Sequence, residues 1–247
     1  MSSGMDWKRY KLMTFDCYGT LVDWEAGILE VLRPWAVGAR IVAGEQDLLR
    51  AFGDAESSAE HAKPKSVYRE ILRETMNGIA GQFKKTSSVA EQEALANSVG
   101  DWPVFADTVE SLRALKGWHK LMVVSNVDKL SFSKTGPKLG VRLDGLVTAE
   151  EVGAYKPDTR MFARALQVAA RMGIEKGEVL HVAQSLYHDI VPAKAMGLTT
   201  VWVDRREGKA GGATPSPQGD AAPNLKVDSL RELVELELAE RKADATV

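Results

Sequence analysis

Short apolar runs alternate with helical patterns in the second part of the chain, from about residue 103. Apolar runs with the length of buried strands are Leu121–Val124, Gly145–Thr148, Val179–Ala183, Thr199–Val203 and Leu225–Val227. Helical spacing separates them, over Thr108–Leu115, Lys129–Lys138, Pro157–Met172 and Ile190–Met196. Strand and helix in repetition are typical of a parallel sheet covered on both faces. The early apolar run Lys11–Phe15 is predicted to join this sheet.

The stretch from about residue 23 to 102 has a different pattern. Its apolar positions follow helical spacing without a convincing strand, over Ala26–Trp35, Gly44–His61, Ser66–Phe83 and Val89–Ser98. The sequence therefore predicts an α/β fold, with a Rossmann-like core (residues 1–22 and 103–247) and an inserted helical cap (23–102). Such a cap acts as a lid that excludes water, or it merely pads the core, and the pattern leaves both open.

The last part of the chain holds two further features. Residues 207–224 are rich in Gly, Ala and Pro, a composition that predicts a mobile surface loop. Ser229–Arg241 has the spacing of a terminal amphipathic helix.

Composition narrows the class of function. The 247 residues carry a formal net charge of −2, which argues against a nucleic-acid or membrane partner. The single cysteine, Cys17, excludes an internal disulfide and fits a reducing compartment. No apolar signal core or membrane-length run is present. We therefore expect a soluble cytoplasmic protein. An amphipathic cap face is compatible with a homodimer, but the sequence does not show which residues would form its interface.

Polar clusters follow the predicted strands. They are Asp16–Thr20, Ser125-Asn126, Tyr155–Asp158 and the segment from Gln184 to Asp189. Because the carboxyl ends of parallel strands lie at one edge of a sheet, we expect these clusters to converge on one crevice. A carboxylate just past a strand, with Gly and Thr in the turn after it, is placed to act as a nucleophile.

These clusters resemble the motifs of the haloacid dehalogenase superfamily. Phe15–Leu21 resembles the first motif, Val124–Asn126 the second, Tyr155–Asp158 the third and Gln184–Asp189 the fourth. The likeness covers almost the whole chain, including the cap, and implies a haloacid dehalogenase-like core with Asp16 as nucleophile. Most members of the superfamily are phosphatases, so the motifs define the superfamily better than the reaction.

Two positions separate the branches of the superfamily. Phosphatases have a second Asp that protonates the leaving alkoxide, and this chain has Tyr18 there. Phosphatases also place an acid for Mg²⁺ where this chain has Gln184. A halide needs no proton to leave, so both differences favour a carbon–halogen substrate. Tyr18 also resembles the type II 2-haloacid dehalogenases, which implies that no metal is needed. Mg²⁺ would be required only if the phosphatase alternative holds.

The predicted reaction is a displacement at carbon. Asp16 attacks the halogen-bearing carbon of a short 2-haloacid, and water then hydrolyses the aspartyl ester. Lys156 is expected to keep Asp16 ionised, and Thr20 to fix its rotamer. Asp189 either holds Lys156 or activates the water, and the sequence does not separate these roles.

The substrate-binding set is predicted less directly. Ser125, Asn126 and backbone amides are expected to bind the substrate carboxylate. Tyr18, Ser185 and His188 are expected to line the pocket. In the fourth motif, Leu186 and His188 replace an Asn and a Trp that line the halogen pocket in the family. The family also has a cap Arg that grips the substrate carboxylate, for which Arg50 is the candidate, with Arg33 and Arg40 as competitors. A phosphatase, or a binding protein with little turnover, remains as an alternative.

Overall fold

The computed structural model describes residues 4–206, 208, 212–214 and 221–244. Its strands are β1 (Leu12–Phe15), β2 (Lys120–Ser125), β3 (Gly145–Thr148), β4 (Val179–Ala183), β5 (Thr199–Val203) and β6 (Leu225–Val227). They form one six-stranded parallel sheet in the spatial order β3-β2-β1-β4-β5-β6. The predicted strands are all confirmed, with ends that differ by no more than one residue.

Helices occupy the segments between the strands. They are α1 (Trp24–Gly38), α2 (Glu45–Ala62), α3 (Tyr68–Gln82), α4 (Val89–Ser98), α5 (Thr108–Lys116), α6 (Lys129–Thr135), α7 (Ala149–Val152), α8 (Arg160–Arg171), α9 (Val191–Ala195) and α10 (Leu230–Asp244). The prediction of one helix to Lys138 is wrong at its end, because α6 gives way to a 3-10 turn, Gly136–Leu139, that contains Pro137. The predicted helix start at Pro157 is also wrong by about one turn, because α8 begins at Arg160. Helix α7 was not predicted.

The central strands are buried on both faces. Every residue of β1 and of β4 is buried, which explains why both read as nearly continuous apolar runs. Cys17, two residues past the end of β1, is also fully buried. The predicted loop at 207–224 falls mostly outside the described residues. Within the part of the chain that the structure describes, no helix is long and apolar enough to cross a bilayer.

Four of the helices, α1 to α4, form the inserted cap between β1 and α5. Helix α2 packs mainly on α3 and buries Leu48, Phe52, Ala55 and Ala59 at the three- and four-residue spacing of one helix face. Glu56 lies on the same buried face. The hydrophobic packing of the cap therefore brings a carboxyl group into the interior.

Candidate active site

A small cavity lies between the core and the cap, at the carboxyl ends of β1 and β4. β1 has β2 on one side and β4 on the other, so the strands are added first on one side of β1 and then on the other. Open α/β sheets bind ligands at such switch points. From the core the cavity is lined by Asp16, Tyr18, Ser125, Asn126, Lys156, Gln184, Ser185, His188 and Asp189, and from the cap by Trp24, Glu56, Glu60 and Tyr68, with Thr214 beside them.

Asp16 lies at the centre of the core side and is held through both of its oxygens. Lys156 Nζ donates to Oδ1 at 2.7 Å, and Thr20 Oγ1 donates to Oδ2 at 2.7 Å. The turn after Asp16 contains Gly19 at φ 96°, a conformation that a residue with a Cβ rarely adopts. Burial raises the pKa of Asp16, and the charge of Lys156 opposes that rise. Asp16 and Thr20 therefore lie together as the sequence predicts.

Lys156 reaches Asp16 from a distant part of the chain. Its Nζ donates to Asp16, to Asp189 Oδ1 at 2.8 Å and to the Val124 carbonyl at 3.0 Å, so its three protons are all used. Asn126 fixes its backbone, since Oδ1 accepts from Lys156 N at 2.6 Å and Nδ2 donates to Lys156 O at 3.1 Å. Burial would lower the pKa of Lys156, but the charges of Asp16 and Asp189 outweigh it and raise that pKa.

Asp189 hydrogen-bonds to the network through one of its two oxygens. Oδ1 accepts from Lys156 and from His181 Nε2 at 3.0 Å, and Thr14 Oγ1 lies 2.9 Å from the other ring nitrogen of His181. Oδ2 is buried and has no hydrogen-bond partner among the described residues. Burial would raise the pKa of Asp189, but Lys156 and the His181 hydrogen bond outweigh it and lower that pKa.

His181 is a residue that sequence reasoning missed. It lies inside β4, where it occupies an interior position of an otherwise apolar run. His181 is fully buried and lies eight residues before Asp189. A polar residue at this place in an apolar run is a signal that could have indicated a partner for the fourth motif.

The other predicted pocket residues of the core have varied surroundings. Ser125 is 1% exposed, and its Oγ has no hydrogen-bond partner among the described residues. Ser185 Oγ accepts from His188 N at 2.9 Å, and burial lowers the pKa of His188 to about 4. The Tyr18 ring lines the cavity, but its hydroxyl lies 2.9 Å from Thr135 Oγ1. That contact joins the Tyr18 hydroxyl to α6.

The structure does not bring the predicted arginine to the cavity. Arg50 has a side chain that is 68% exposed and lies 3.8 Å from Asp47. Its competitor Arg33 pairs with Glu45 at 2.6 Å, and Arg40 is exposed. None of the three is among the described residues that line the cavity. The expected grip of Arg50 on a substrate carboxylate is therefore not supported by its position, because α2 turns that side chain to solvent.

Helix α2 instead turns two carboxyl groups toward the cavity. Glu56 accepts a hydrogen bond from Tyr68 Oη, and Glu60 Oε1 lies 3.5 Å from Asn126 Nδ2. Burial raises the pKa of Glu56 to about 7, and burial together with the charge of Glu56 raises that of Glu60. Sequence reasoning missed both, although their four-residue spacing puts them on one face of a helix.

The residues present do not fit a magnesium ion. Both oxygens of Asp16 are engaged by Lys156 and Thr20, and Gln184 Oε1 accepts from Thr214 Oγ1 at 3.3 Å. Within the described ranges no group of three His, Cys, Asp or Glu side chains is arranged to hold a metal. A cation with full charge, Lys156, lies against the carboxylate that a metal would use.

Comparison with known proteins agrees with this fold. A family profile described as haloacid dehalogenase-like hydrolase matches residues 10–197. The fold and the site define an α/β hydrolase with a buried Asp–Lys pair at the switch point of its sheet. The chain belongs to the haloacid dehalogenase-like hydrolases.

Similar proteins include members with different reactions. The chain is 32% identical over 144 residues to an (S)-2-haloacid dehalogenase of Pseudomonas sp. (strain YL), covering 57% of this chain and 58% of that protein. It is 31% identical over 132 residues to a pyrimidine 5'-nucleotidase of Escherichia coli, covering 52% and 54%. These alignments span little more than half the length of the curated relatives.

A solved structure extends the likeness in fold. The L-2-haloacid dehalogenase of Xanthobacter autotrophicus with chloropropionic acid covalently bound matches with a TM-score of 0.76 at 18% identity, covering 92% of this chain and 98% of that one. At this identity the match establishes the shared fold, a Rossmann-like core with a helical cap.

Proposed function

We propose that the protein is a 2-haloacid dehalogenase that works through a covalent bond between Asp16 and substrate carbon, without a metal. The observation that carries the proposal is that Tyr18 and Gln184 stand where a phosphatase has its second acid and its magnesium ligand, beside a buried Asp16 that Lys156 pairs at 2.7 Å. Tyr18 stands at the position of the second Asp of phosphatases, and its hydroxyl is hydrogen-bonded to Thr135.

In the first step, a carboxylate oxygen of Asp16 attacks the halogen-bearing carbon from the face opposite the halogen. The carbon–oxygen bond forms as the carbon–halogen bond breaks, and the halide leaves with the bonding electrons. Burial removes water from the carboxylate and strengthens it as a nucleophile, while the charge of Lys156 opposes the rise in pKa that burial causes. The configuration at carbon inverts in this step only.

In the second step, water attacks the carbonyl carbon of the aspartyl ester. The bond between that carbon and the ester oxygen breaks, which releases the 2-hydroxy acid and restores the Asp16 carboxylate. Asp189 Oδ2 is the buried acceptor without a partner among the described residues, so we assign it the hydrogen bond that orients this water. Its Oδ1 holds Lys156 at 2.8 Å. In this proposal Oδ1 holds Lys156 and Oδ2 orients the water, so Asp189 has both of the roles that the sequence leaves open.

The substrate carboxylate is assigned to Ser125. Its hydroxyl lacks an acceptor among the described residues and lines the cavity, so it can donate to a carboxylate oxygen. The size of the cavity supports a short acid. A water-sized molecule can move within only about 40 Å³ of it, room for roughly three waters.

The experiment that tests the proposal measures halide release from 2-chloro-, 2-bromo- and 2-fluoropropionate, with and without a chelator. We expect halide release that the chelator leaves unchanged. In a single turnover in ¹⁸O-water, the label should appear in Asp16 and not in the 2-hydroxy acid. Label in the product of that first turnover, or magnesium-dependent release of phosphate from a phosphate ester without halide release, would overturn the proposal.

A variant identifies the nucleophile. Asp16→Asn keeps the shape of the side chain but removes the charged oxygen, so halide release should fall by about 10⁴-fold or more. Asp158→Asn, at a partly exposed position of the third motif, is the matched control and should retain activity. Full halide release by Asp16→Asn would contradict the assignment.

A further inference from the structure

The described side chains that line the cavity include more acidic than basic groups, which disfavours an anionic substrate. Four carboxyl groups line it, from Asp16, Asp189, Glu56 and Glu60, whereas Lys156 is the one Lys or Arg side chain among the described residues that line it. Lys156 spends its three protons on Asp16, Asp189 and Val124. An anionic substrate would therefore meet no free cationic donor on the described residues that line the cavity, and it would be repelled by Asp189 and by the ionised fraction of Glu56 and Glu60.

The cap side of the cavity combines acidic and aromatic groups. Glu56 and Glu60 come from α2, and the rings of Trp24 and Tyr68 come from α1 and α3. Carboxylates together with aromatic faces are the surroundings in which proteins bind organic ammonium groups. Since no metal-ligating group of three is formed among the described residues, this set suits a polyatomic cation better than a metal ion.

Two buried polar atoms at the same cavity point independently to a ligand. Ser125 Oγ and Asp189 Oδ2 have no hydrogen-bond partner among the described residues, and both residues are at most 1% exposed. Buried polar atoms without partners are rare in native proteins and mark a missing group. Ser125 Oγ can donate and Asp189 Oδ2 can only accept, which fits the substrate carboxylate and the water assigned to them above, in the same cavity that Glu56 and Glu60 line.

We propose that Glu56 and Glu60 form a subsite for an ammonium group, and that the preferred substrate is a short 2-haloacid that also carries an amine. The proposal rests on the function proposed above. The substrate carboxylate faces Ser125, and the ammonium group lies between Glu56, Glu60 and the Tyr68 ring. Such a zwitterion has no net charge, which removes the repulsion that a simple haloacid meets.

Binding should move protons in a direction that reports the sign of the bound charge. Burial raises the pKa of Glu56 to about 7, so at neutral pH the empty pocket holds part of a proton there. An ammonium group favours the ionised carboxylates and releases protons, whereas an anion favours the protonated form and takes protons up.

The first test is binding of unreactive ligands by calorimetry, with β-alanine compared with propionate in buffers of different ionisation enthalpy. We expect β-alanine to bind about tenfold tighter or more, with proton release. Glu60→Gln should bring the two affinities close together. Glu70→Gln removes the same charge from an exposed cap position and should leave the ratio unchanged. Equal binding of both ligands, tighter propionate binding, or an unchanged ratio in Glu60→Gln would overturn the subsite.

The second test compares kcat/KM for halide release from 3-amino-2-chloropropionate and 2-chloropropionate, after subtraction of an enzyme-free blank. A preference for the amine of about tenfold that Glu60→Gln abolishes supports the proposal. Halide release with no such preference leaves the dehalogenase function standing and overturns the subsite. No halide release from either acid, with preferential β-alanine binding intact, overturns the dehalogenase function and supports the subsite. Competition of magnesium with β-alanine for the pocket, with the same proton release, would assign the carboxylates to a metal and overturn the ammonium proposal.

Discussion

The core half and the cap half of the cavity differ in how their charges are satisfied. In the core, Lys156 holds Asp16 and Asp189 at 2.7 and 2.8 Å, so one cation faces two carboxylates and the network is closed. In the cap, the hydrogen-bonding neighbours of Glu56 and Glu60 among the described residues of the cavity are Tyr68 and Asn126. The core half therefore sets a cation against its carboxylates, whereas the cap half holds two carboxyl groups without a Lys or Arg among the described residues that line the cavity. We therefore propose that reaction chemistry belongs to the core and substrate choice to the cap.

The largest effect is expected from opening the core network. Lys156→Met leaves two buried carboxylates without their cation, so the free energy of unfolding should fall by about 3–5 kcal/mol. The pKa of Asp16 should rise further, because its opposing charge is gone. Urea denaturation at pH 7 measures the first effect and the pH profile of halide release measures the second.

Lys63→Met is the matched control for this variant. Lys63 pairs with Glu74 at 2.6 Å, but both side chains are about half exposed, so the loss should stay below about 1 kcal/mol. Similar losses for Lys63→Met and Lys156→Met would mean that the core network is not the closed unit described above.

A smaller effect of opposite sign is expected in the cap. In the unfolded chain the pKa of Glu56 is about 4.5, so below that pH Glu56 is protonated in both the folded and the unfolded state. Between that pH and about 7, Glu56 ionises only in the unfolded chain. The unfolded state then binds fewer protons, so stability falls as pH rises through this window. Glu56→Gln removes the titration and keeps an acceptor for Tyr68. At pH 8 it should therefore be more stable than the parent, by on the order of 2 kcal/mol.

The measurement is urea denaturation of both proteins at pH 5 and pH 8. The groups that face Glu56 are Glu60 on its own helix and Tyr68 on α3. Glu70→Gln should show a difference within about 0.5 kcal/mol at both pH values, because the side chain is exposed. A stability gain for Glu56→Gln that is as large at pH 5 as at pH 8 would show that burial of charge is not its cause.

The same contrast explains what could be predicted from the sequence. Asp16 and Asp189 follow from motifs after β1 and β4, and parallel strands bring such ends together whatever the details of packing. The prediction that the motif of Lys156 directly follows a strand is wrong, because α7 lies between β3 and Lys156. Glu56 and Arg50 lie on one helix, six residues apart, and both are ordinary polar residues in the pattern. Which of them faces the cavity depends on how α2 docks, and that is a tertiary property. The sequence therefore indicates the nucleophile but not the charge of the cap.

His181 extends the core comparison, with a smaller expected effect. His181→Phe keeps a ring against Phe162, which lies 5.1 Å away between centroids, but removes the donor to Asp189. We expect a loss of about 1.5 kcal/mol in unfolding free energy. The pKa of Asp189 should rise, which moves the acid limb of the halide-release profile to higher pH. His181→Gln retains an N–H donor and should recover part of both effects. An unmoved acid limb in His181→Phe would contradict a role for His181 in holding Asp189.

The smallest effect is expected at Tyr18, the position where the core departs most from a phosphatase. Its hydroxyl lies 2.9 Å from Thr135 Oγ1, so Tyr18→Phe removes one hydrogen bond and should cost about 1 kcal/mol of stability. Thr135→Val removes the other partner, and the double variant should lose little more than either single one. Halide release should change by less than about threefold, because a halide leaves without a proton, whereas loss of a general acid lowers the rate by about 10²-fold or more. A fall of that size in Tyr18→Phe, with stability close to that of Thr135→Val, would make the hydroxyl a proton donor. The leaving group would then be an oxygen, and the division between core chemistry and cap selection would have to be drawn for a different reaction.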